Sequence, residues 1–174
     1  FVAIHPIAGT EFSGPEAAIY DLFTKKVNII CERHLSSEEM VERAVSIFES
    51  IQMRNVFMNS AEQHDKHIAY VSHLSHISSF MLGKTVLEME KEAQNIFDMA
   101  GSGFESTVRL AKSSPKMWSP IFVENKENVL TSLEAFIKNL SAFRDMIAAE
   151  DTVALHQTMQ ETNYIKEILN GIKK

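Results

Sequence analysis

The 174-residue sequence contains one cysteine, four prolines and six glycines. The single cysteine, Cys31, excludes a disulfide framework and a multi-cysteine metal site, and it fits a reducing compartment such as the cytoplasm. No GxGxxG or P-loop pattern is present, so this sequence lacks the glycine-rich loop that holds nucleotide phosphates. No apolar run reaches the ~18 residues of a membrane-spanning helix, and no secretory leader pattern opens the chain. We therefore expect a soluble, cytoplasmic protein without a membrane partner.

Basic residues are in the minority, with 17 lysines and arginines against 23 aspartates and glutamates and a formal net charge of −6. This balance argues against a nucleic-acid partner. It also means that an anionic ligand must be bound by a local cationic side chain. Hydrophobic residues make up 45% of the chain, which is enough to bury a core.

Residues 1–58 show strand and helix patterns in alternation. Apolar segments predict strands at Phe1–Ile4, Lys26–Cys31 and Val56–Met58, and the capping sequence SSEE at 36–39 precedes a helix. The first run begins without a cap or turn before it, which predicts that the chain starts inside a domain. This part therefore indicates the second half of an α/β sheet domain.

His5 is a candidate functional residue because of its place beside Pro6, which favours an extended backbone in the preceding residue. We place His5 where the first strand gives way to a loop, and ligands collect at the carboxyl ends of strands in α/β sheets. Taken alone, His5 fits a bracing role in that loop as well as a role in chemistry. Pro15 then predicts the start of a short helix, Glu16–Phe23.

Almost every segment after residue 59 has helical spacing. A first helix is predicted from Ser60 to about Glu90, with Gly83 tolerated inside it, and a short helix from Lys91 to Asp98. Pro115 begins a long helix whose apolar stripe continues to Ala148, and a last helix is predicted from Asp151 to Leu169. The predicted fold class is therefore mainly α, a helical domain preceded by half of an α/β domain.

Four of the seven histidines lie on one predicted helix, at positions 64, 67, 73 and 76. Histidines on a long helix are usually solvated or hydrogen-bonded to a neighbour, so the count alone assigns no function. At ~100° per residue, one helical face carries Asp65, Ala69, Ser72 and His76. This face predicts the wall of a polar pocket. A metal site is disfavoured, because roughly 14 Å of helical rise separates the two i, i+3 histidine pairs and HExxH is absent.

Four segments, in this order, resemble the prephenate dehydrogenases of tyrosine biosynthesis: HPIAGTEFSG at 5–14, HDKHIAYVSHLSH at 64–76, GSGFESTVRLAKSSPKMW at 101–118 and IFVENKENV at 121–129. The resemblance covers nearly the whole chain. It implies that residues 1–58 are the second half of a Rossmann-like nucleotide-binding domain and residues 59–174 a helical substrate-binding and dimerisation domain. It also implies a homodimer, which fits the long apolar stripe of the Pro115–Ala148 helix.

The activity that the resemblance implies is an oxidative decarboxylation that uses NAD, with NADP less expected. Hydride leaves C4 of prephenate, the C4 hydroxyl loses its proton, and the ring carboxylate departs as CO2 to give 4-hydroxyphenylpyruvate. His5 matches the family's catalytic histidine, because a neutral imidazole can take the hydroxyl proton near pH 7. Arg109 matches the family's carboxylate-binding arginine, with a planar fork suited to bidentate contact. Without the motif, a surface ion pair would be the favoured interpretation of Arg109.

Other matching positions imply supporting roles. His76 matches a histidine that contacts the substrate's side chain, and Thr10 and Glu11 lie on the loop that lines or gates the pocket, with Glu11 linked ionically to Arg109. The residues expected to line the pocket, or to contact the residues that line it, are His64, Asp65, Ser72, His73, Gly103 and Trp118. No residue is assigned to the cofactor or to a metal. The histidines outside the matching motif positions, expected to be solvated, are His34, His67 and His156.

Four further expectations and alternatives follow from the sequence. Ser75 stands where many relatives have proline in SHLPH, and we expect this to remove an irregularity from the helix. The substrate could instead be arogenate, which carries an amine where prephenate carries a keto group, and His76 and its neighbours should decide between the two. From another class, the chain could be a non-catalytic helical dimerisation module. Because the phosphate loop is absent from the sequence, we expect this polypeptide to be inactive by itself.

Overall fold

The structure is a computed structural model that describes residues 1–12, 14–93 and 95–171. Strands lie at Ala3–Ile7 (β1), Val27–Cys31 (β2) and Arg54–Met58 (β3). Helices lie at Glu38–Ser50 (α1), Ala61–Ile68 (α2), Leu74–Ala93 (α3), Ser102–Val108 (α4), Pro115–Glu124 (α5), Lys126–Ala148 (α6), Thr152–Thr162 (α7) and Ile165–Gly171 (α8). This arrangement confirms the mainly α fold class.

The strands form one sheet in the order β1-β2-β3, with β1 antiparallel to β2 and β2 parallel to β3. α1 connects β2 to β3. The core of this region includes Ile30 of β2 and Val41 of α1, which are 0% and 1% exposed. His5 lies within β1, opposite Ile29, rather than beyond the end of the strand as predicted. Pro6 continues the strand because β1 is an edge strand, where a missing N–H can face away from the sheet.

The prediction of a helix at Glu16–Phe23 is wrong, since the structure has a 3-10 turn at Pro15–Ala17 and then turns at 20–25 that form no helix. Asp21, inside the predicted helix, and Lys25, just after it, have φ angles of 58° and 60°. These left-handed conformations end any right-handed helix. The predicted helix after the SSEE sequence is confirmed as α1, although the Ser37 side chain makes no capping hydrogen bond.

The helix predicted from Ser60 to Glu90 begins as expected, because the Ser60 hydroxyl accepts from the Gln63 N–H at 3.1 Å. It is interrupted, however, by a π turn at Ala69–His73, which separates α2 from α3. Ser75 lies after this turn, in α3, and the expected loss of a helix irregularity at Ser75 stays a prediction. A π turn holds more residues than an α turn, so the residues after it are rotated relative to a constant ~100° step.

Two further helices are shorter than predicted. The Pro115–Ala148 helix is interrupted at Asn125, whose φ and ψ are −103° and 32°. The last helix is interrupted between α7 and α8, at Asn163 and Tyr164. The helix predicted at Lys91–Asp98 contains Gln94, which lies outside the described residues. On either side of it, α3 runs to Ala93 and a 3-10 turn occupies Ile96–Met99.

The chain divides into two compact units, residues 1–129 and the residues from 130 onwards. The first unit contains the sheet and every predicted site residue. The second contains the remainder of α6 with α7 and α8, and it exposes large apolar side chains such as Ile137, Leu140 and Ile147. The predicted boundary between a nucleotide-binding domain and a helical domain, at residues 58 and 59, differs from the boundary of these two units. The predicted domain boundary stays a prediction.

Candidate active site

A chain of hydrogen bonds joins His5 to Asp65 through His64. His5 Nδ1 lies 2.8 Å from His64 Nε2, and His64 Nδ1 lies 2.9 Å from Asp65 Oδ1. Because a carboxylate only accepts, neutral His64 donates from Nδ1 and accepts at Nε2. His5 then donates from Nδ1, and this leaves the Nε2 lone pair of a neutral His5 free to take a proton.

The three residues come from a strand and a helix that the local sequence fixes. β1 carries His5, and the Ser60 cap starts α2 so that His64 and Asp65 fall on its first turns. The His64 side chain is 15% exposed and the Asp65 side chain 53%. His64 therefore connects a solvated carboxylate to the ring of His5.

The surroundings of His5 favour its neutral form. Its pKa is lowered from 6.5, first by the loss of water around the ring and then by repulsion from protonated His64, while Asp65 opposes the shift. The residue as a whole nevertheless remains exposed. His5 is therefore both neutral at pH 7 and open to a ligand.

Arg109 and Glu11 form the expected ion pair. Arg109 Nη1 donates to Glu11 Oε2 at 2.9 Å, and the Glu11 side chain is 14% exposed against 50% for Arg109. The pKa of Glu11 is lowered, first by a hydrogen bond from its own backbone N–H and then by the Arg109 guanidinium. Thr10 Oγ1 accepts from the Phe12 N–H at 3.3 Å and so tightens the loop that presents Glu11.

His76 belongs to an aromatic cluster built on Trp118. The rings of His76 and Trp118 stack with centroids 3.5 Å apart and planes 27° apart. His73 contacts the same indole at 5.9 Å in an edge geometry, and Phe122 lies 5.3 Å from it. Trp118 and His73 are only 7% and 6% exposed. The cluster therefore fixes the ring of His76 between α3 and α5.

Ser72 contributes to the site through its backbone. His76 Nδ1 lies 3.0 Å from the Ser72 carbonyl oxygen, and a carbonyl only accepts, so Nδ1 carries a proton. Burial lowers the pKa of His76, the Ser72 hydrogen bond opposes this, and the positive charge of Arg109 lowers it further. His76 is therefore neutral near pH 7, with its lone pair on Nε2.

Electrostatic effects link the separate contacts into one region. The pKa of His73 is lowered mainly by burial, and His76, His64 and His5 lower it further while Asp65 raises it. Asn125 Nδ2 lies 2.7 Å from the Asp65 carbonyl oxygen and 3.4 Å from His73 Nδ1, and these contacts place the histidine chain beside the aromatic cluster.

Some predicted residues do not join this arrangement. Gly103 lies inside α4, where its carbonyl accepts from Thr107 Oγ1 at 2.8 Å, and a Cβ built on it would meet no atom within 4 Å. Its pocket-lining role stays a prediction. The histidines expected to be solvated are all exposed: His34, His67 and His156.

Two residues that the sequence did not single out hold the site together. Asn125 Nδ2 donates to the Asp65 carbonyl at 2.7 Å and lies 3.4 Å from His73 Nδ1. Ser79 is 2% exposed, and its hydroxyl hydrogen-bonds to the backbone of Thr107 before Arg109 and of Ala111 after it. Asn125 lies in the matching segment IFVENKENV, which was a signal that could have found it. Ser79 had no such signal.

Among the described residues, no group of three or more His, Cys, Asp or Glu side chains is placed to hold a metal ion. Within residues 1–12, 14–93 and 95–171, no helix combines the length and apolar character needed to cross a membrane. A surface pocket lined by residues that include Leu22, Phe23 and Ile51 contains none of the predicted site residues.

Two family models match this chain. One, described as prephenate dehydrogenase, dimerization domain, matches residues 60–161. The other, described as prephenate dehydrogenase, nucleotide-binding domain, matches residues 1–57. Together the two matches contain all the residues of the candidate site.

Curated relatives and a solved structure agree with these matches. The chain is 32% identical over 162 residues to a cyclohexadienyl dehydrogenase of Zymomonas mobilis subsp. mobilis, covering 92% of this chain and 55% of the relative. It is 28% identical over 155 residues to a prephenate dehydrogenase of Bacillus subtilis, covering 87% of this chain and 40% of the relative. It thus spans about half the length of the curated relatives it matches. The crystal structure of a prephenate dehydrogenase from A. aeolicus in complex with hydroxyphenyl propionate and NAD+ is 34% identical, with a TM-score of 0.86, covering 97% of this chain and 59% of that one.

Proposed function

Because this chain belongs to the prephenate dehydrogenase family, we propose that it supplies the general base, the substrate-binding cation and the dimerisation helices of an NAD-dependent prephenate dehydrogenase. The observation that carries the proposal is the hydrogen-bonded chain from Asp65 through His64 to His5. It leaves a neutral imidazole nitrogen free at the point where the reaction needs a base.

The proposed reaction breaks three bonds of prephenate: the C4–H bond, the O–H bond of the C4 hydroxyl, and the bond between the ring and its carboxylate. NAD, when bound, accepts the hydride from C4. His5 Nε2 takes the hydroxyl proton as the carbon–oxygen double bond forms. The ring carboxylate leaves as CO2, and its bonding electrons enter the ring, which becomes aromatic as the C4 carbonyl turns into a phenolate. That oxygen takes up a proton to give 4-hydroxyphenylpyruvate.

The sheet suits a dinucleotide cofactor. β2 and β3 are parallel, and their carboxyl ends at Cys31 and Met58 lie at one edge, which is where such sheets bind nucleotides. We assign no residue of this chain to the phosphates, since the sequence has no GxGxxG pattern. The A. aeolicus relative, whose crystal structure contains NAD+, supports NAD as the cofactor.

Arg109 suits the proposed substrate because prephenate carries two carboxylates. Half of the Arg109 side chain is exposed, and the contact to Glu11 uses only Nη1. The other guanidinium donors remain suited to a planar carboxylate. Substrate binding therefore uses these donors or displaces Glu11, and either route makes the Glu11–Arg109 pair part of the binding equilibrium.

Arogenate is a second candidate substrate, and the orientation of His76 favours it. His76 donates a hydrogen bond from Nδ1–H to the Ser72 carbonyl, so the neutral ring presents a lone pair at Nε2. A lone pair attracts the ammonium group of arogenate and repels the keto oxygen of prephenate. The Zymomonas relative's name, cyclohexadienyl dehydrogenase, fits both substrates because each is a cyclohexadiene. Measuring kcat/KM for both substrates decides between them.

We also propose that residues 1–58 belong to the nucleotide-binding domain and residues 59–174 to the substrate-binding and dimerisation domain. The family models support this division, because they match residues 1–57 and 60–161. The proposal assigns His5 to the first domain and the other site histidines to the second.

The same family assignment leads us to propose a homodimer whose contact includes α6. Ile137 and Leu140 on this helix are 52% and 53% exposed, and exposed apolar side chains of this size are typical of interfaces. Leu140→Glu should therefore convert a dimer to a monomer in sedimentation velocity at micromolar concentration. Asn139→Glu adds the same charge at a neighbouring exposed position and is the control. A monomeric wild-type protein, or a Leu140→Glu variant that stays dimeric, contradicts this proposal.

The catalytic proposal is tested in a form of the protein with a complete nucleotide-binding domain. His5→Asn should lower kcat by about 10²–10⁴, the range typical of losing a general base, with little change in unfolding. His67→Asn is the matched control, since His67 is an exposed histidine on α2. Full activity in His5→Asn would refute the assignment of the base. Absence of turnover with NAD and either substrate would favour a non-catalytic dimerisation module.

Arg109→Ala should act mainly on KM, because the proposed charge contact exists in the ground state as well as the transition state. Arg43→Ala, at an exposed arginine of α1, is the control. If Arg109→Ala and His5→Asn both lost activity only in proportion to lost stability, neither residue would have the proposed role.

A further inference from the structure

The helix that leads to Arg109 changes its geometry one residue before it. α4 ends at Val108, whose φ and ψ are −91° and 4°, and a 3-10 turn at Arg109–Lys112 follows. In an uninterrupted α-helix, the Ala111 N–H would donate to the Thr107 carbonyl, four residues earlier.

Ser79 of α3 occupies the place of that missing hydrogen bond. Its hydroxyl accepts from the Ala111 N–H at 3.0 Å and donates to the Thr107 carbonyl at 3.0 Å. The residue is 2% exposed, so water does not compete for these groups. A side chain inserted into the i to i−4 ladder is an established cause of helix breaks. One hydroxyl therefore interrupts α4 and satisfies the two backbone groups that the interruption releases.

The interruption determines the direction of Arg109, which lies midway between the two groups bound by Ser79. A 3-10 turn advances about 120° and 2.0 Å per residue, whereas an α-helix advances about 100° and 1.5 Å. The guanidinium stands at the end of a long side chain, so a small change in backbone direction moves it far. In the observed geometry, its Nη1 is 2.9 Å from Glu11 Oε2.

We propose that Ser79 is a positioning residue, whose hydroxyl breaks α4 so that Arg109 meets Glu11 and, beside it, a carboxylate of the substrate. The contact with the substrate rests on the proposed function. The break in α4 and the pairing with Glu11 do not, and the two parts are therefore tested by separate measurements.

The first measurement is an NMR titration of the Glu11 carboxyl group. In Ser79→Ala, the Ala111 N–H should donate directly to the Thr107 carbonyl, and the α-helix should continue through Arg109. Backbone carbon shifts of residues 108–110 should move to α-helical values. The pKa of Glu11, which Arg109 helps to lower, should rise toward its value in Arg109→Ala.

Two further variants make this measurement decisive. Ser78→Ala removes a hydroxyl one residue away that donates only to the Leu74 carbonyl of its own helix, at 2.7 Å, and it should leave the pKa of Glu11 unchanged. Ser79→Cys keeps a weak donor and acceptor of similar size, and it should give an intermediate pKa. If Ser79→Ala does not fold, Ser79→Cys decides. An unchanged pKa of Glu11 in the deciding variant overturns the proposal.

The second measurement is kinetic and uses the protein with a complete nucleotide-binding domain. Ser79→Ala should raise KM about tenfold with kcat unchanged, as expected for a misdirected ground-state contact. A fall in kcat at constant KM, or a rise in KM while the pKa of Glu11 stays constant, overturns the proposal. If the pKa of Glu11 rises but KM stays constant, Ser79 positions Arg109, and the proposed binding of substrate by Arg109 is wrong.

Discussion

The Asp65 carboxylate determines which ring nitrogen of His5 is free, although it does not contact His5. Asp65 holds the proton of His64 on Nδ1, so His64 Nε2 can only accept, and His5 must donate from Nδ1. This is the arrangement of catalytic sites in which a third group orients the base. Without the carboxylate, the two rings could exchange donor and acceptor roles, and a fraction of His5 would carry its proton on Nε2. That fraction could not accept a proton from a substrate.

Replacement of Asp65 by asparagine should therefore have two effects on a protein with a complete nucleotide-binding domain. We expect kcat to fall about tenfold, less than for loss of the base itself. The charge of Asp65 raises the pKa of His5, so its removal should move the acidic limb of the kcat/KM profile to lower pH. Asp98→Asn, at an exposed aspartate, is the control. An acidic limb that moves to higher pH would contradict the hydrogen-bonded chain.

At the residue scale, the sequence identified the side chains that lie in recognisable motifs. It did not identify the side chains that position them. The sequence marked His5 and Arg109 through their segments, but Ser79 looked like any serine of a long helix. Its partners, Thr107 and Ala111, lie 28 and 32 residues away along the chain. A role defined by such distant backbone groups becomes visible only when two helices are packed together.

At the scale of elements, the sequence predicted where helices begin better than where they break. Ser60 and Pro115 start α2 and α5 as expected, because a cap and a first-turn proline act locally. The π turn at Ala69–His73 and the break at Asn125 were not predicted, and Asn125 makes a tertiary contact, the hydrogen bond from its Nδ2 to the Asp65 carbonyl. A hydrophobic pattern with a constant step cannot show such breaks.

The contribution of α5 to the site can be measured through Trp118. This residue is 7% exposed and packs against His73, His76 and Phe122, so Trp118→Ala should lower the free energy of unfolding by about 3–5 kcal/mol. Because it is the only tryptophan, urea unfolding should be followed by circular dichroism at 222 nm. Met117→Ala, at a neighbouring residue that is 43% exposed, should cost about 1 kcal/mol or less. Equal losses in the two variants would show that the cluster does not stabilise the fold.

At the scale of the whole molecule, the strand and helix patterns predicted the fold class, but they did not predict the division of the chain at residue 129. The apolar stripe of α6 crosses this position without a change, and only the packing of the folded chain separates the unit before it from the unit after it. The exposed apolar residues beyond that point, which the stripe did predict, are the basis of the proposed dimer contact.

The site histidines should also make the whole molecule sensitive to acid. His5, His73 and His76 all have pKa values lowered below 6.5, first by burial, whereas in an unfolded chain histidine titrates near ~6.5. Between the lowered values and 6.5 the unfolded state binds more protons than the folded state, so the free energy of unfolding falls as pH falls below 6.5. Glu11 acts in a lower window, because its lowered pKa stabilises the fold above 4.5 and this contribution is lost below it.

His73 should carry the largest share of this acid sensitivity, since it is 6% exposed while His5 remains exposed. Urea unfolding between pH 7.5 and 5.5 should show stability falling by about 1.4 kcal/mol per pH unit for each proton taken up on unfolding. His73→Gln removes one of these protons, so its stability should depend less steeply on pH even if the variant is less stable at pH 7.5. His34→Gln, at an exposed histidine, should keep the wild-type slope. An unchanged slope in His73→Gln would mean that the folded protein accepts a charged imidazole beside Trp118 at no cost, and burial would then not be the cause of the lowered pKa.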